Sequence, residues 1–207
     1  MYLDCIDLCL QHCDYVAAIV PSTFFNQPLF KERLFAWDKI DYKMFDDTDT
    51  PVGVAYFVPC PGQEPLLGVN GNLLTFDGMD IPFKTKSTLV FNPPDPTHTL
   101  VAIDSISGPN IHIKEYLGEE IKSTNRHIVP IKGLSCSADK LNLIINEWRR
   151  NTCDFWLTSF MSCQANGSYR KRITFNTLHW LANISDLYSV PEPSCDTTPS
   201  VNKTINN

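Results

Sequence analysis

The spacing of apolar residues predicts four helices along the chain. Apolar side chains recur at three- and four-residue steps in residues 2–13, 28–37, 138–150 and 175–184, which is the period of an amphipathic helix. The segment 138–150 has the clearest terminal signals, because Asp139 lies in its first turn and two arginines lie in its last turn. Charges at those positions favour the helix dipole.

Short apolar or alternating runs predict strands between these helices. Residues 15–20 form a continuous apolar run that ends at Pro21, a pattern typical of a fully buried strand in a parallel sheet. Residues 39–45 alternate like a strand, and residues 52–58 form a second apolar strand after an acidic turn. The first sixty residues therefore predict α/β architecture with a hairpin at its end.

The chain changes character after residue 60, where prolines interrupt short strand-like pieces. We expect residues 1–60 to form a first unit and residues 61–109 to be a proline-rich connection. Residues 110–190 combine short strands with two helices and predict a smaller α+β region. Residues 191–207 are polar and low in aromatics, which indicates a disordered tail.

Charge is unevenly distributed along the chain. The 207 residues carry a formal net charge of -6, which argues against nucleic-acid binding. However, residues 122–172 hold nine lysines and arginines against three acidic residues. A basic zone within an acidic chain is typical of a phosphate-binding face, although a solvated charged surface explains it equally well.

The cysteines do not indicate disulfides or a metal centre. The chain shows no signal peptide and no apolar run of the ~20 residues needed to span a bilayer, so we expect a cytoplasmic protein with reduced thiols and no membrane contact. Cys5, Cys9 and Cys13 share one stripe of the first helix, with His12 beside them. Three ligands from one straight helix surround a tetrahedral zinc poorly. We therefore interpret them as buried structural cysteines and expect no metal.

Residues 2–57 resemble the second half of the catalytic domain of adenine-specific (N6) DNA methyltransferases of the amino-methyltransferase class. The resemblance rests on an ordered series of short motifs rather than on any one of them. The series comprises an initial helix, a strand ending in Ile-Val-Pro-Ser-Thr-Phe at residues 19–24, a basic helix around residues 30–34, and a strand ending in Phe45 before a polar loop and an apolar strand. It implies a partial Rossmann-like methyltransferase sheet, followed in residues 110–190 by a target-recognition region.

The resemblance also implies a pocket for a flipped base. Such an enzyme extrudes the target adenine from the duplex and holds it by stacking and by hydrogen bonds to its edges. Phe45 matches the stacking position, and Pro21 and Phe24 would complete the pocket. The alternative for Phe45 is an ordinary core position at a strand end, since large aromatics most often serve burial.

Two motifs of the family are missing from this sequence. No Phe-x-Gly-x-Gly loop for S-adenosylmethionine is present, and residues 68–71 and 77–80 do not supply one. Residues 91–95 approach the catalytic Asn-Pro-Pro-aromatic tetrapeptide, but Asp95 replaces the aromatic and the order along the chain is wrong, so a proline-rich connection is the better interpretation. We therefore expect no catalytic residue here, and S-adenosylmethionine bound mainly by a missing N-terminal half.

Two polar loops are the predicted contacts to double-stranded DNA. Arginine and lysine bind phosphates and guanine edges, and polar side chains read base edges. The first loop contributes Lys122 and Arg126. The second loop contributes the run Tyr169, Arg170, Lys171 and Arg172. The alternative for both loops is an ordinary charged surface.

The sequence therefore predicts a fragment or subunit of a site-specific DNA adenine-N6 methyltransferase, of the kind found in restriction-modification systems. A helix that begins directly after Met1, where the tetrapeptide would have ended, fits a split gene whose upstream part encodes the N-terminal partner. The chain would be inactive without that partner. The alternatives are a non-catalytic DNA-binding or protein-interaction module derived from a methyltransferase, and an inactive remnant.

Overall fold

The computed structural model describes residues 2–26, 31–108, 110–118 and 127–185. Within them the chain forms three α-helices: α1 Tyr2–His12, α2 Ala138–Asn151 and α3 Phe175–Ile184. Two short 3-10 turns, Ser22–Asn26 and Lys31–Arg33, follow the first strand. The strands are β1 Val16–Pro21, β2 Leu34–Lys39, β3 Val52–Phe57, β4 Leu66–Val69, β5 Asn72–Leu74, β6 Val90–Phe91, β7 His98–Val101, β8 His112–Glu115, β9 Ile128–Lys132, β10 Thr158–Cys163 and β11 Tyr169–Arg172.

The first sheet contains five strands in the order β1-β3-β2-β4-β5. Strand β3 pairs antiparallel with both β1 and β2, so β1 and β2 run in the same direction. Strand β4 pairs parallel with β2, and β5 closes a hairpin with β4. The fold is thus mixed α/β, as expected, but most strand pairs are antiparallel.

One face of this sheet is covered and forms the smaller of two cores. Helix α1 packs there through Ile6, and Phe24 lies 6.0 Å from the ring centroids of both Trp37 and Phe57. Gly53 opposes Lys39 in the register, and a Cβ atom at Gly53 would collide with the indole of Trp37. A glycine at the second position of β3 is therefore required for close packing of Trp37.

The structure corrects several elements of the sequence interpretation. The segment 28–37 is not a helix where it is described: residues 31–33 form a single turn and residues 34–39 form β2. Residues 40–45, expected to continue a strand, lie in a loop. The first error arises because pairing of β2 with β3 and β4 overrides the local helical spacing.

Strand β1 occurs where it was predicted, but it is not fully buried. It is the edge strand of the described sheet, and alternate side chains of β1 are exposed. The three cysteines of the first helix stripe were expected to be buried and are exposed instead. Helix α1 covers the sheet with only one narrow stripe around Ile6, which leaves the cysteine side in solvent.

The second region is built on a four-stranded antiparallel sheet in the order β6-β9-β7-β8. Helices α2 and α3 pack against it through fully buried side chains that include Trp148, Leu178 and Trp180. Ser137 caps α2 and Thr174 caps α3, each accepting a backbone N–H with its hydroxyl. The segment 61–109 contributes β4 and β5 to the first sheet and β6 and β7 to the second, so it belongs to both cores.

A buried ion network joins α2 to the strands beside it. Arg149 donates two hydrogen bonds of 2.8 Å to Asp104 and further bonds of 2.7 and 2.8 Å to Asp154. Burial disfavours the charged form of Arg149. The hydrogen bonds that Arg149 donates to Asp154 and Asp104 outweigh this effect and raise the pKa of the guanidinium. Asp104 also accepts the N–H of Ile111 and of Lys171. The network therefore fixes α2 against β11.

We expect Asp104→Asn to lower the free energy of unfolding by about 3 kcal/mol, because it leaves a buried guanidinium with half of its partners. Urea denaturation measures this loss. Glu147→Gln is the matched control, since the Glu147–Arg150 pair is exposed, with an N–O distance of 3.7 Å, and contributes less than about 1 kcal/mol. Equal losses in the two variants would contradict the assignment.

Candidate functional site

The carboxyl ends of β1 and β2 lie at the same edge of the first sheet. Ser22 donates its N–H to the carbonyl of Pro51 at 2.8 Å, and Ile40 donates to Val52 at 3.1 Å. These bonds hold the loop 40–51 at this edge, beside Pro21. In open α/β sheets, ligands bind at the carboxyl ends of parallel strands.

The hairpin of β10 and β11 docks on the same loop. Tyr169 donates its N–H to the carbonyl of Asp41 at 3.1 Å, and its hydroxyl donates to the carbonyl of Thr50 at 3.3 Å. Tyr42 and Ser168 form a bridge beside this contact. The structure therefore brings together two segments far apart in sequence, one predicted to hold the base and the other predicted to contact DNA.

The three predicted base-pocket residues have different environments. Phe45 lies in the loop 40–51 with 40% of its surface exposed, and Tyr42 in the same loop is also exposed. Pro21 is half-buried at the end of β1. Phe24 is only 2% exposed and packs in the core. Of the three, Phe45 and Pro21 can therefore present surface to a ligand.

Strand β11 alternates between buried and outward side chains. Tyr169 and Lys171 are buried, and the ammonium of Lys171 contacts the carboxylate of Asp41. Arg170 is half-buried and donates from Nε to the carbonyl of Asp104 at 2.5 Å, while Arg172 is exposed. Among these four residues, only Arg170 and Arg172 can approach a phosphate. Lys122 and Arg126 lie outside the described residues.

Lys39 is a buried cation at the junction of the two regions. Its Nζ donates to the carbonyls of Asp154, Phe155 and Leu157 at 3.1, 3.0 and 2.6 Å, which uses all three ammonium protons. Burial lowers the pKa of Lys39 to about 8. Burial and the nearby charge of Lys39 also lower the pKa of Lys171.

Two adjoining cavities open beside Lys39. The larger has a volume of about 270 Å³ and the smaller about 180 Å³, and they share Thr158 and Thr174. Hydroxyl and aromatic side chains dominate the wall of the larger cavity. Many of them belong to the residues after β1 and to the segment before β10. The smaller cavity includes Arg172 and Phe175. A polar cleft of this size, placed between two domains, is typical of a small-ligand site.

Sequence reasoning missed most of this cleft. Residues 155–159 and 174–177 line it but belong to no motif considered above. Their one detectable signal is a concentration of aromatic and hydroxyl side chains in Phe-Trp-Leu-Thr-Ser, and that composition does not by itself distinguish a site from a strand start.

Residues 68–71 and 77–80 do not form a cradle for S-adenosylmethionine. Asn70 and Gly71 both have positive φ, of 52° and 81°, and form the two-residue turn between β4 and β5. The Gly71 N–H is already bonded to the Asp38 carboxylate. Residues 77–80 form a turn closed by the Asp77 carbonyl. These glycines therefore shape turns and offer no free cradle to a donor.

Residues 91–95, which approach the catalytic tetrapeptide in sequence, also have a structural role. The Phe91 ring stacks on Phe175 with centroids 4.0 Å apart, Asn92 donates its N–H to Pro130, and Asp95 pairs with Lys132. Among the described residues, no group of three or more His, Cys, Asp or Glu side chains is placed to hold a metal. Within the same ranges, no helix has the length and apolar character that a bilayer crossing requires.

Comparisons with models of protein families, with curated proteins and with solved structures find no match to this chain.

Titration of Lys39 predicts a specific pH dependence of stability. Between the folded pKa of about 8 and the unfolded value of about 10.4, only the unfolded state holds the proton. The free energy of unfolding therefore rises with pH by about 1 kcal/mol per unit relative to Lys39→Met. Urea denaturation at three pH values in this window measures the difference. The exposed Lys84→Met is the control, and parallel curves for Lys39→Met and the parent chain would refute the prediction.

Proposed function

We propose that this chain supplies the target-base pocket and the DNA-recognition surface of a site-specific DNA adenine-N6 methyltransferase. The S-adenosylmethionine site and the catalytic tetrapeptide would come from polypeptide outside this sequence. The observation that carries the proposal is the meeting of the loop 40–51 with β11 at the carboxyl-end edge of the sheet. Phe45, an exposed aromatic that could stack on a base, lies in this loop, and Arg170 and Arg172, which could bind phosphates, lie on the strand that docks against it.

The unpaired edge of β1 is consistent with a donor-binding half that lies on another polypeptide. In the described sheet, β1 pairs only with β3, so its other edge is open. Open edges of apolar strands are normally covered, since they otherwise pair with other chains. We interpret the first sheet as part of a Rossmann-like sheet, in which the donor-binding half would add strands beside β1.

The outer face of the same sheet gives a second, independent argument. The register places Ala17, Ile19 and Tyr56 on the face opposite the core, and Ile19 and Tyr56 are exposed. Leu73 of β5 is exposed on that face as well. Strands that are apolar on both faces are typical of sheets covered by helices on both sides. The occupant we propose for this face is the donor-binding half.

The proposal places the protein in the cytoplasm, in contact with double-stranded DNA and without a membrane partner. The alternative function is a non-catalytic DNA-binding or protein-interaction module. The split enzyme and a DNA-binding module both predict DNA binding, and methyl transfer separates them.

We expect the double variant Arg170→Ala with Arg172→Ala to weaken binding to duplex DNA by about tenfold and to reduce the salt slope by about two, since each phosphate contact contributes about one. Fluorescence anisotropy at several salt concentrations measures both quantities. Arg150→Ala is the matched control, because the side chain is exposed on α2. An unchanged affinity and slope in the double variant would refute DNA contact by β11.

Methyl transfer from radiolabelled S-adenosylmethionine to duplex DNA tests the proposal itself. We expect none from this chain alone and activity once the polypeptide encoded directly upstream is added. Ile19→Asp should abolish the added activity by charging the outer face, whereas Leu143→Asp on α2 should not, although both side chains are 52% exposed. Activity of the chain alone would disprove the argument about the donor site, and an inactive mixture that binds DNA would favour the alternative module.

A further inference from the structure

The cleft formed by the two cavities beside Lys39 has a chemistry that the proposed function does not use. It lies on the core side of the first sheet, and apart from Arg172, which the proposed function assigns to DNA phosphates, it is lined by residues that have no part in that function. We propose that this cleft binds one unstacked nucleotide, with the base in the larger cavity and the 5′-phosphate at Arg172. The proposal does not depend on methyl transfer.

The larger cavity offers aromatic surface for a base. Phe25 stacks on Trp37 with ring centroids 5.8 Å apart and meets Phe155 edge-on at 5.6 Å. Phe155 meets Trp156 at 4.9 Å. Trp37 and Phe155 are buried and form the base of this cluster, whereas Phe25 and Trp156 are only half-buried. Half-buried rings beside a cavity give a planar heterocycle a surface on which to stack.

The same cavity carries more hydrogen-bonding groups than an apolar ligand would satisfy. Its wall includes the side chains of Ser22, Thr23, Asn26, Thr158, Ser159, Thr174 and Thr177. The hydroxyls of Thr174 and Thr177 bond each other. A ligand with ring nitrogens and an exocyclic amine can supply both donors and acceptors.

The smaller cavity suits an anion. Arg172 lines it and is exposed, and the described part of the chain gives its guanidinium no ion pair. The first turn of α3 begins at the same place and contains no acidic residue, so its dipole adds to the positive potential. Lys39 contributes to the wall of the adjoining cavity, with its ammonium protons bonded to three carbonyls. An arginine and a neighbouring hydroxyl, such as that of Thr158 in the same cavity, together are typical phosphate partners.

The dimensions of the cleft set the ligand size. The larger cavity of about 270 Å³ is near the lower limit for ligand pockets, which begin at about 300 Å³. It therefore admits one base rather than two. Because the cavities share Thr158 and Thr174, a base in one and a phosphate in the other belong to a single nucleotide.

Binding of three probes to the whole chain tests this proposal: dAMP, deoxyadenosine and a single-stranded oligodeoxyadenylate. Trp37 and Trp156 line the larger cavity, so tryptophan fluorescence reports occupancy. We expect saturable binding of dAMP below about 1 mM and roughly tenfold weaker binding of deoxyadenosine. Arg172→Ala should reduce dAMP affinity to that of deoxyadenosine and leave deoxyadenosine affinity unchanged.

Two further variants separate the cleft from the rest of the surface. Thr158→Phe places a ring at the junction of the cavities and should remove binding of all three probes, and Thr158 is exposed, so the fold should tolerate it. Arg150→Ala should change nothing. Urea denaturation confirms that each variant is folded.

The affinity for the oligodeoxyadenylate, compared with that for dAMP, shows whether the nucleotide belongs to a DNA strand or is free. Tighter binding of the oligonucleotide than of dAMP assigns the cleft to an unstacked DNA strand, and equal or weaker binding assigns it to a free nucleotide; both results support the proposal. Absence of saturable dAMP binding overturns it, as does dAMP binding that survives both Arg172→Ala and Thr158→Phe. These results leave the methyl-transfer experiment unaffected, so the two proposals fail separately.

Discussion

The three hydrogen bonds from the ammonium of Lys39 are the interaction on which the arrangement of the first sheet and the second region depends. A lysine that is only 6% exposed is tolerated in an interior because every proton finds an acceptor. Here the acceptors are three carbonyls of residues 154–157, which belong to the second region, while the cation belongs to β2 of the first sheet. Their geometry sets the position of the segment before β10, and with it the cleft and the hairpin that reaches the loop 40–51.

Local signals in the sequence predicted the elements whose formation is local. Helix α2 was foreseen from its period and its terminal charges, and the capping hydroxyl of Ser137 confirms its start. Residues 31–45 were misread, because β2 is defined by partners that lie up to 30 residues away. For β11, the run Tyr-Arg-Lys-Arg shows no alternation of apolar and polar residues, so the burial of Lys171 against Asp41 could not be read from the sequence. The cleft could not be foreseen, since its walls come from four separate segments.

Within the described residues, the two faces of the first sheet are not equally covered. Its core face is packed by α1, Phe24 and Phe155, whereas the opposite face exposes Ile19 and Tyr56 beside an open strand edge. Strands β1 and β3 therefore carry more apolar side chains than the described residues of this chain bury. The same composition is what a strand inside a larger, helix-covered sheet needs. The excess is a physical reason to seek a second polypeptide surface, and it holds whether or not that surface binds a methyl donor.

The basic zone of residues 122–172 needs to be interpreted through its contacts. Arg149 is committed to Asp104 and Asp154, Lys171 to Asp41, and Lys132 to Asp95. These cations neutralise acidic side chains of the protein and are not available to phosphates. Within the described residues of the zone, Arg170 is half-buried and bonds the Asp104 carbonyl and Ser162, whereas Arg172 is exposed and has no ion pair. A local excess of positive charge thus favours nucleic-acid binding only to the extent that the fold leaves it unpaired, and Arg172, beside the cleft, is a cation of that kind.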